Sequence, residues 1–331
     1  MLTILELFDF TTSSGKHYDI LPISYEFFGR TLHSAPVVMV NHALTGNSHV
    51  AGKSGWWSPM VGKGKAIDTE RYTILSFNIP GNGFDGFFLE DFCHFRLRDI
   101  ASLFLLGLKK LNIEEIYLLT GGSIGGSIGW EMLQQKNNLA RVFVPIATDY
   151  KTTDWIYAQC LIQKYLLEST DEPLEKARKH AMLFYRTPKS INERFNRGVD
   201  TESGILRSHS WLDYHGRALS ERFSLNAYQY VNHLLMNITG DKEKLRDISA
   251  DIHLVGIDTD LFYPAFEIKK TYEFLKETKK HTYYHEVYSP HGHDAFLIEY
   301  GQLKKIFNTI QKIAHEKCQY QHLPPKSPDQ I

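Results

Sequence analysis

The chain has 331 residues, enough for one large domain with an insertion or for two ordinary domains. It is 43% hydrophobic and 23% charged with a net charge of -1, which excludes a disordered chain and gives no basic excess for a nucleic-acid partner. Three cysteines, Cys93, Cys160 and Cys318, lie far apart with no paired spacing, so neither a disulfide framework nor a metal site is read and a reducing cytoplasm is expected.

The first ten residues lack a basic leader and are interrupted by Glu6 and Asp9, so they read as a strand rather than a signal peptide. No apolar run approaches the ~20 residues of a membrane-spanning helix, and no membrane partner is expected. Two β-like runs, 3–10 and 17–28, flank a turn at 12–15 and predict an antiparallel hairpin. Apolar runs at 35–40, 72–77, 116–120 and 142–146 read as buried strands, with a helix predicted over 92–111. Strands alternating with helices imply a mostly parallel sheet in an α/β fold.

From 149 to 246 strand signals vanish and helical patterns dominate, as at 155–168 and 175–185. This segment reads as a helical lid inserted between late strands. The sheet pattern resumes with a strand at 252–257, a helix at 264–276, a strand at 282–287 and a helix after Ala295. The expected division is a core in two parts, 1–148 and 247–316, the lid over 149–246, and a polar, proline-rich frayed tail over 317–331.

Gly121-Gly122-Ser123-Ile124-Gly125 follows a predicted strand and opens a predicted helix, the context of a nucleophile elbow. An overlapping match, Gly125-Gly126-Ser127-Ile128-Gly129, scores equally by pattern, but Ser127 would lie a turn inside the helix. A serine nucleophile needs a base, and the base needs an orienting acid. Asp258 and Asp260 follow a late strand, and His291 and His293 follow the last one, in the chain order of such a triad. The residues alone leave open which aspartate and which histidine serve. The oxyanion donors are expected at the Ile124 amide and at a second amide in Asn41-His42-Ala43-Leu44-Thr45-Gly46, taken at Leu44. His42 is open to a role in shaping that loop. No ligand cluster accompanies His291 and His293, so no metal is expected.

Several segments together resemble the homoserine O-acetyltransferase family of the α/β-hydrolase superfamily. They are Asn41 through Gly52, Gly55-Trp56-Trp57, Gly62 through Thr69, Gly121 through Gly126, and Ser289 through Glu299. The resemblance implies that Asp260, in Thr259-Asp260-Leu261-Phe262-Tyr263-Pro264, is the acid and that His293 is the base. It also implies that Arg186, in Tyr185-Arg186-Thr187, pairs with the homoserine carboxylate and that Asp294 holds the ammonium. The implied reaction is ping-pong acetyl transfer from acetyl-CoA, a substrate rather than a bound cofactor, to homoserine through an acyl-serine, with a homodimer formed through the lid. An esterase, or a serine acetyl- or homoserine succinyltransferase, is the alternative. One departure stands out: where the family has a longer glycine- and serine-rich segment, this chain has only residues 78–88, bordering the active-site entrance.

Overall fold

The computed structural model describes residues 1–279 and 281–321. Among the described residues eight strands form one sheet in the order β1-β2-β4-β3-β5-β6-β7-β8. Strands β1 (Thr3–Thr11) and β2 (His17–Gly29) make the opening hairpin, and β2 also runs antiparallel to β4 (Thr73–Phe77). The remaining neighbours are parallel: β3 (Val37–Asn41), β5 (Ile116–Gly122), β6 (Ala140–Ile146), β7 (Asp251–Ile257) and β8 (Thr282–Val287). Every residue of β3 and β4 is buried, because helices and loops cover both faces of a parallel sheet and its strands become continuous apolar runs.

The predicted helix at 92–111 is divided. A 3-10 turn at Phe92–His94 precedes α1 (Leu97–Lys110), and the break falls at Arg96, whose backbone is extended. Buried Asp99 causes the restart, accepting the Arg96 amide at 2.7 Å and the Ser13 amide at 2.7 Å. Helix α2 (Ile124–Gln135) follows β5 directly.

Between β6 and β7 lie five α-helices, a 3-10 turn at Glu243–Asp247 and isolated bridges in place of strands: α3 (Asp154–Leu167), α4 (Pro173–Tyr185), α5 (Pro188–Phe195), α6 (Arg207–Ser220) and α7 (Leu225–Met236). Their starts carry the expected chemistry. Thr153, Thr187 and Ser224 cap α3, α5 and α7 through their hydroxyls, and proline opens α4 and α5. Helix α8 (Ala265–Thr278) links β7 to β8, and after a 3-10 turn at Gly292–Leu297 the last described element is α9 (Tyr300–Gln321). The expected tail boundary at 317 therefore falls inside a helix, and 322–331 lie outside the described residues. Among the described residues no helix is long and apolar enough to cross a membrane.

Candidate active site

Four loops leave the C-terminal ends of parallel strands and converge: those after β3, β5, β7 and β8. Ser123 occupies the single residue between β5 and α2, with φ 55° and ψ -133°, a conformation that L-residues adopt only under constraint. Its amide donates to Ile146 O at 2.9 Å, which ties the turn to β6. The flanking glycines are required by close approach. A Cβ on Gly121 would sit 2.6 Å from the Gly125 carbonyl carbon, and one on Gly125 would sit 2.5 Å from Asn41 O.

His293 is buried in the 3-10 turn after β8, and its Nδ1–H donates to Asp260 Oδ2 at 2.7 Å. The other oxygen, Oδ1, accepts the Phe262 and Tyr263 amides at 2.7 and 2.8 Å, so Asp260 is held by its own turn. Four aromatic rings fix the imidazole: Tyr185 and Tyr263 lie near-parallel to it at 5.4 and 5.8 Å, and Phe262 and Phe296 meet it edge-on at 5.3 and 5.5 Å. Phe296 also abuts Gly122, which brings this turn against the elbow. Among the described residues His293 Nε2 is buried without a hydrogen-bond partner, so Ser123 and His293 are not hydrogen-bonded in this structure. Such bonds are often loose before substrate closes the site.

The loop after β3 is braced from behind. Asn78 Oδ1 accepts the Ser48 amide at 2.7 Å, and Ser48 Oγ donates to buried Glu26 at 2.9 Å. His42 Nδ1–H donates to Ala43 O at 2.7 Å while Nε2 accepts the Ile79 amide at 3.1 Å, a neutral tautomer with both nitrogens committed. Burial pushes its pKa down to about 4, so His42 shapes the loop. Among the described residues the Leu44 and Ile124 amides have no hydrogen-bond acceptor.

The alpha/beta hydrolase fold model matches residues 36–300. A homoserine O-acetyltransferase of Carboxydothermus hydrogenoformans is 30% identical, with the alignment covering 94% of this chain and 95% of that one. The chain belongs to the homoserine O-acetyltransferase branch of the alpha/beta hydrolase fold family. It is thus an acyltransferase-type enzyme. The crystal structure of a homoserine O-acetyltransferase from Staphylococcus aureus superimposes with a TM-score of 0.79 at 26% identity, covering 100% of this chain and 98% of that one. An acetylester hydrolase from Corynebacterium glutamicum shares the fold, with a TM-score of 0.77 at 16% identity, covering 93% and 95%.

Within this α/β-hydrolase frame the other candidate residues have different surroundings. Ser127 lies inside α2, and its hydroxyl donates to Asp149 O at 2.8 Å and lies 2.7 Å from Thr148 Oγ1. Asp258 is exposed and accepts the Ser289 amide at 2.9 Å, whereas Asp260 is buried. His291 meets Ser190 Oγ at 3.0 Å and Arg186 Nη1 at 3.2 Å, joining the helical insertion to the core.

Arg186 and Asp294 meet each other, Nε to Oδ2 at 2.9 Å, beside the histidine turn. The angle is poor for a hydrogen bond, and Nε has no other acceptor, so the contact is electrostatic. The aromatic enclosure of His293 is not legible in the sequence, although Tyr185, Phe262 and Tyr263 sit inside its motifs. Among the described residues no group of three His, Cys, Asp or Glu side chains is arranged to hold a metal.

Proposed function

We propose that the protein is a homoserine O-acetyltransferase acting by a ping-pong mechanism on acetyl-CoA and L-homoserine, a step of methionine biosynthesis in the cytoplasm. The observation that carries the catalytic part is the 2.7 Å His293–Asp260 contact beside a serine constrained to φ 55° at a strand-to-helix turn. Ser123 Oγ attacks the thioester carbonyl while His293 Nε2 takes its proton. Leu44 and Ile124 amides stabilise the oxyanion, and the thiol of CoA leaves with that proton. His293 then takes the proton of the homoserine hydroxyl, whose oxygen attacks the acetyl-serine ester, and returns that proton to Ser123 Oγ as the ester bond to the serine breaks.

Arg186 would take the acceptor carboxylate and Asp294 its ammonium. The mutual contact of the two side chains supports this, since a zwitterion entering between them replaces one ion pair with two. The lid role of residues 149–246 rests on Tyr185, Arg186 and His291, where the insertion meets the histidine turn. A homodimer through this region has support in outward-facing Trp155, Ile162 and Tyr165 on α3.

Hydrolysis is the second reading, favoured by the shared fold of the acetylester hydrolase. CoA release measured with and without L-homoserine separates the two. Transfer predicts steady release only with the acceptor, together with O-acetylhomoserine in the product. Equal release without any amino acid assigns the protein to hydrolysis.

A further inference from the structure

An acyl thioester of CoA is small and neutral at its reacting end and polyanionic at its far end, which carries a diphosphate and a ribose phosphate. Holding that head requires cations not already neutralised by the protein's own carboxylates.

Arg178 and Arg222, both from the helical insertion, meet this requirement beside the site. The Arg178 guanidinium lies 5.6 Å from the Tyr185 ring centre, and that ring lies 5.4 Å from His293. Arg222, just past α6, donates from Nη1 to Thr45 O at 3.0 Å and lies 3.5 Å from Thr45 Oγ1 through Nη2. Thr45 is the residue after Leu44. Among the described residues neither arginine has a carboxylate in ion-pair contact, unlike Arg186, which has Asp294.

Their charges are felt by the groups around them. Arg222 reaches solvent, yet burial of the rest of its side chain and then the charge of Arg178 lower its pKa. Burial first, and then Arg178, Arg186 and Arg194, push His215 down to about 4, so that histidine adds no charge of its own. Arg186 is answered by Asp294 and Glu221 lines the cleft beside Arg222, but Arg178 and Arg222 have no carboxylate in ion-pair contact among the described residues, which leaves their charge available to an anion from solution.

Beside Arg222 a cleft of about 270 Å³ opens between the loop after β3, the short 78–88 segment and the start of α7. Phe84 and Phe88 line it and remain 42% and 43% exposed, which leaves ring faces for a heteroaromatic base.

We propose that Arg178 and Arg222 bind the phosphates of an acyl-CoA donor, with the Phe84–Phe88 cleft receiving its nucleotide end. The proposal rests on the acyl-transfer reading above and adds the location of the donor's head.

The test compares kcat/KM for acetyl-CoA and for p-nitrophenyl acetate, a neutral acetyl donor, in the parent, Arg178→Gln, Arg222→Gln and Arg222→Lys. The ratio of the two constants should fall roughly 10- to 150-fold in each glutamine variant, the loss expected for one charge-assisted contact. It should arise in the KM for acetyl-CoA, with partial recovery in Arg222→Lys. Titration calorimetry with adenosine 3′,5′-bisphosphate should show binding to the parent and a comparable weakening in both glutamine variants. An equal fall for both donors overturns the proposal, since it marks lost packing or a displaced Leu44. A rise confined to the KM for homoserine overturns it too, by assigning the arginines to the acceptor. If the parent accepts p-nitrophenyl acetate but not acetyl-CoA, the transfer reading fails by itself. The calorimetry still decides the arginine site, which is refuted if the bisphosphate fails to bind or binds parent and variants alike.

Discussion

Asp260→Asn preserves the shape of the side chain and reverses one hydrogen bond. In the parent, Oδ1 accepts two backbone amides, Phe262 and Tyr263, while Oδ2 accepts His293 Nδ1–H at 2.7 Å. The asparagine oxygen will stay on the Oδ1 side, because turning it leaves two buried amides facing an NH2 group at about 1–3 kcal/mol each. The new Nδ2–H2 then donates to His293 Nδ1, and the ring must carry its proton on Nε2. Four aromatic rings pack the imidazole and resist a flip that would restore the acceptor. His293 can then no longer accept the Ser123 proton. In a serine protease the same tautomer error costs about 10⁴ in kcat, so the burst of CoA release should slow by at least ~100-fold. Asp258→Asn keeps the acceptor used by the Ser289 amide and should change the burst by less than about threefold. Stopped-flow CoA release, with thermal melting to verify folding, reads both variants. A burst in Asp260→Asn within about threefold of the parent, or a larger loss in Asp258→Asn, refutes the assignment.

Intact-mass spectrometry after brief exposure to acetyl-CoA should show one acetyl adduct in the parent and in Ser127→Ala, and none in Ser123→Ala; an adduct that follows Ser127 would exchange their roles. Arg186→Leu should lower kcat/KM for homoserine roughly 10- to 150-fold while slowing the CoA burst far less, and Arg186→Lys should recover part of it, lacking the planar fork. Unchanged homoserine transfer in Arg186→Leu would locate the carboxylate clamp elsewhere. Burial raises the Asp149 carboxyl to about 7, against the opposing pull of the Tyr150 amide and the Thr271 hydroxyl. A carboxyl raised on folding leaves stability intact below its unfolded pKa of 3.8 and costs stability as pH climbs towards 7, at about 1.4 kcal/mol for each pH unit climbed. Asp149→Asn retains an oxygen for both donors, so its advantage over the parent in urea unfolding should be near zero at about pH 4 and reach a few kcal/mol at about pH 8. Equal curves at both pH values would show that Asp149 ionises without penalty.

The strands were legible because burial of a parallel sheet on both faces leaves mostly apolar runs, and 37–41, 73–77, 116–122 and 140–146 each carry one, broken only by single residues such as Ser76 and Arg141. The elbow was legible because glycines on both sides of Ser123 report a turn too close-packed for a Cβ. The chain order of serine, aspartate and histidine followed from strand ends alone. Residue pattern by itself did not separate Asp258 from Asp260 or His291 from His293. Members of each pair lie two positions apart in one turn, and only the turn's three-dimensional course decides which side chain faces inward. Nor did pattern show that Arg186 meets Asp294, or that Arg222 reaches Thr45 across 177 positions of sequence. Periodicity registers the face an element buries, whereas these contacts join the helical insertion to the core and exist only once the two have packed.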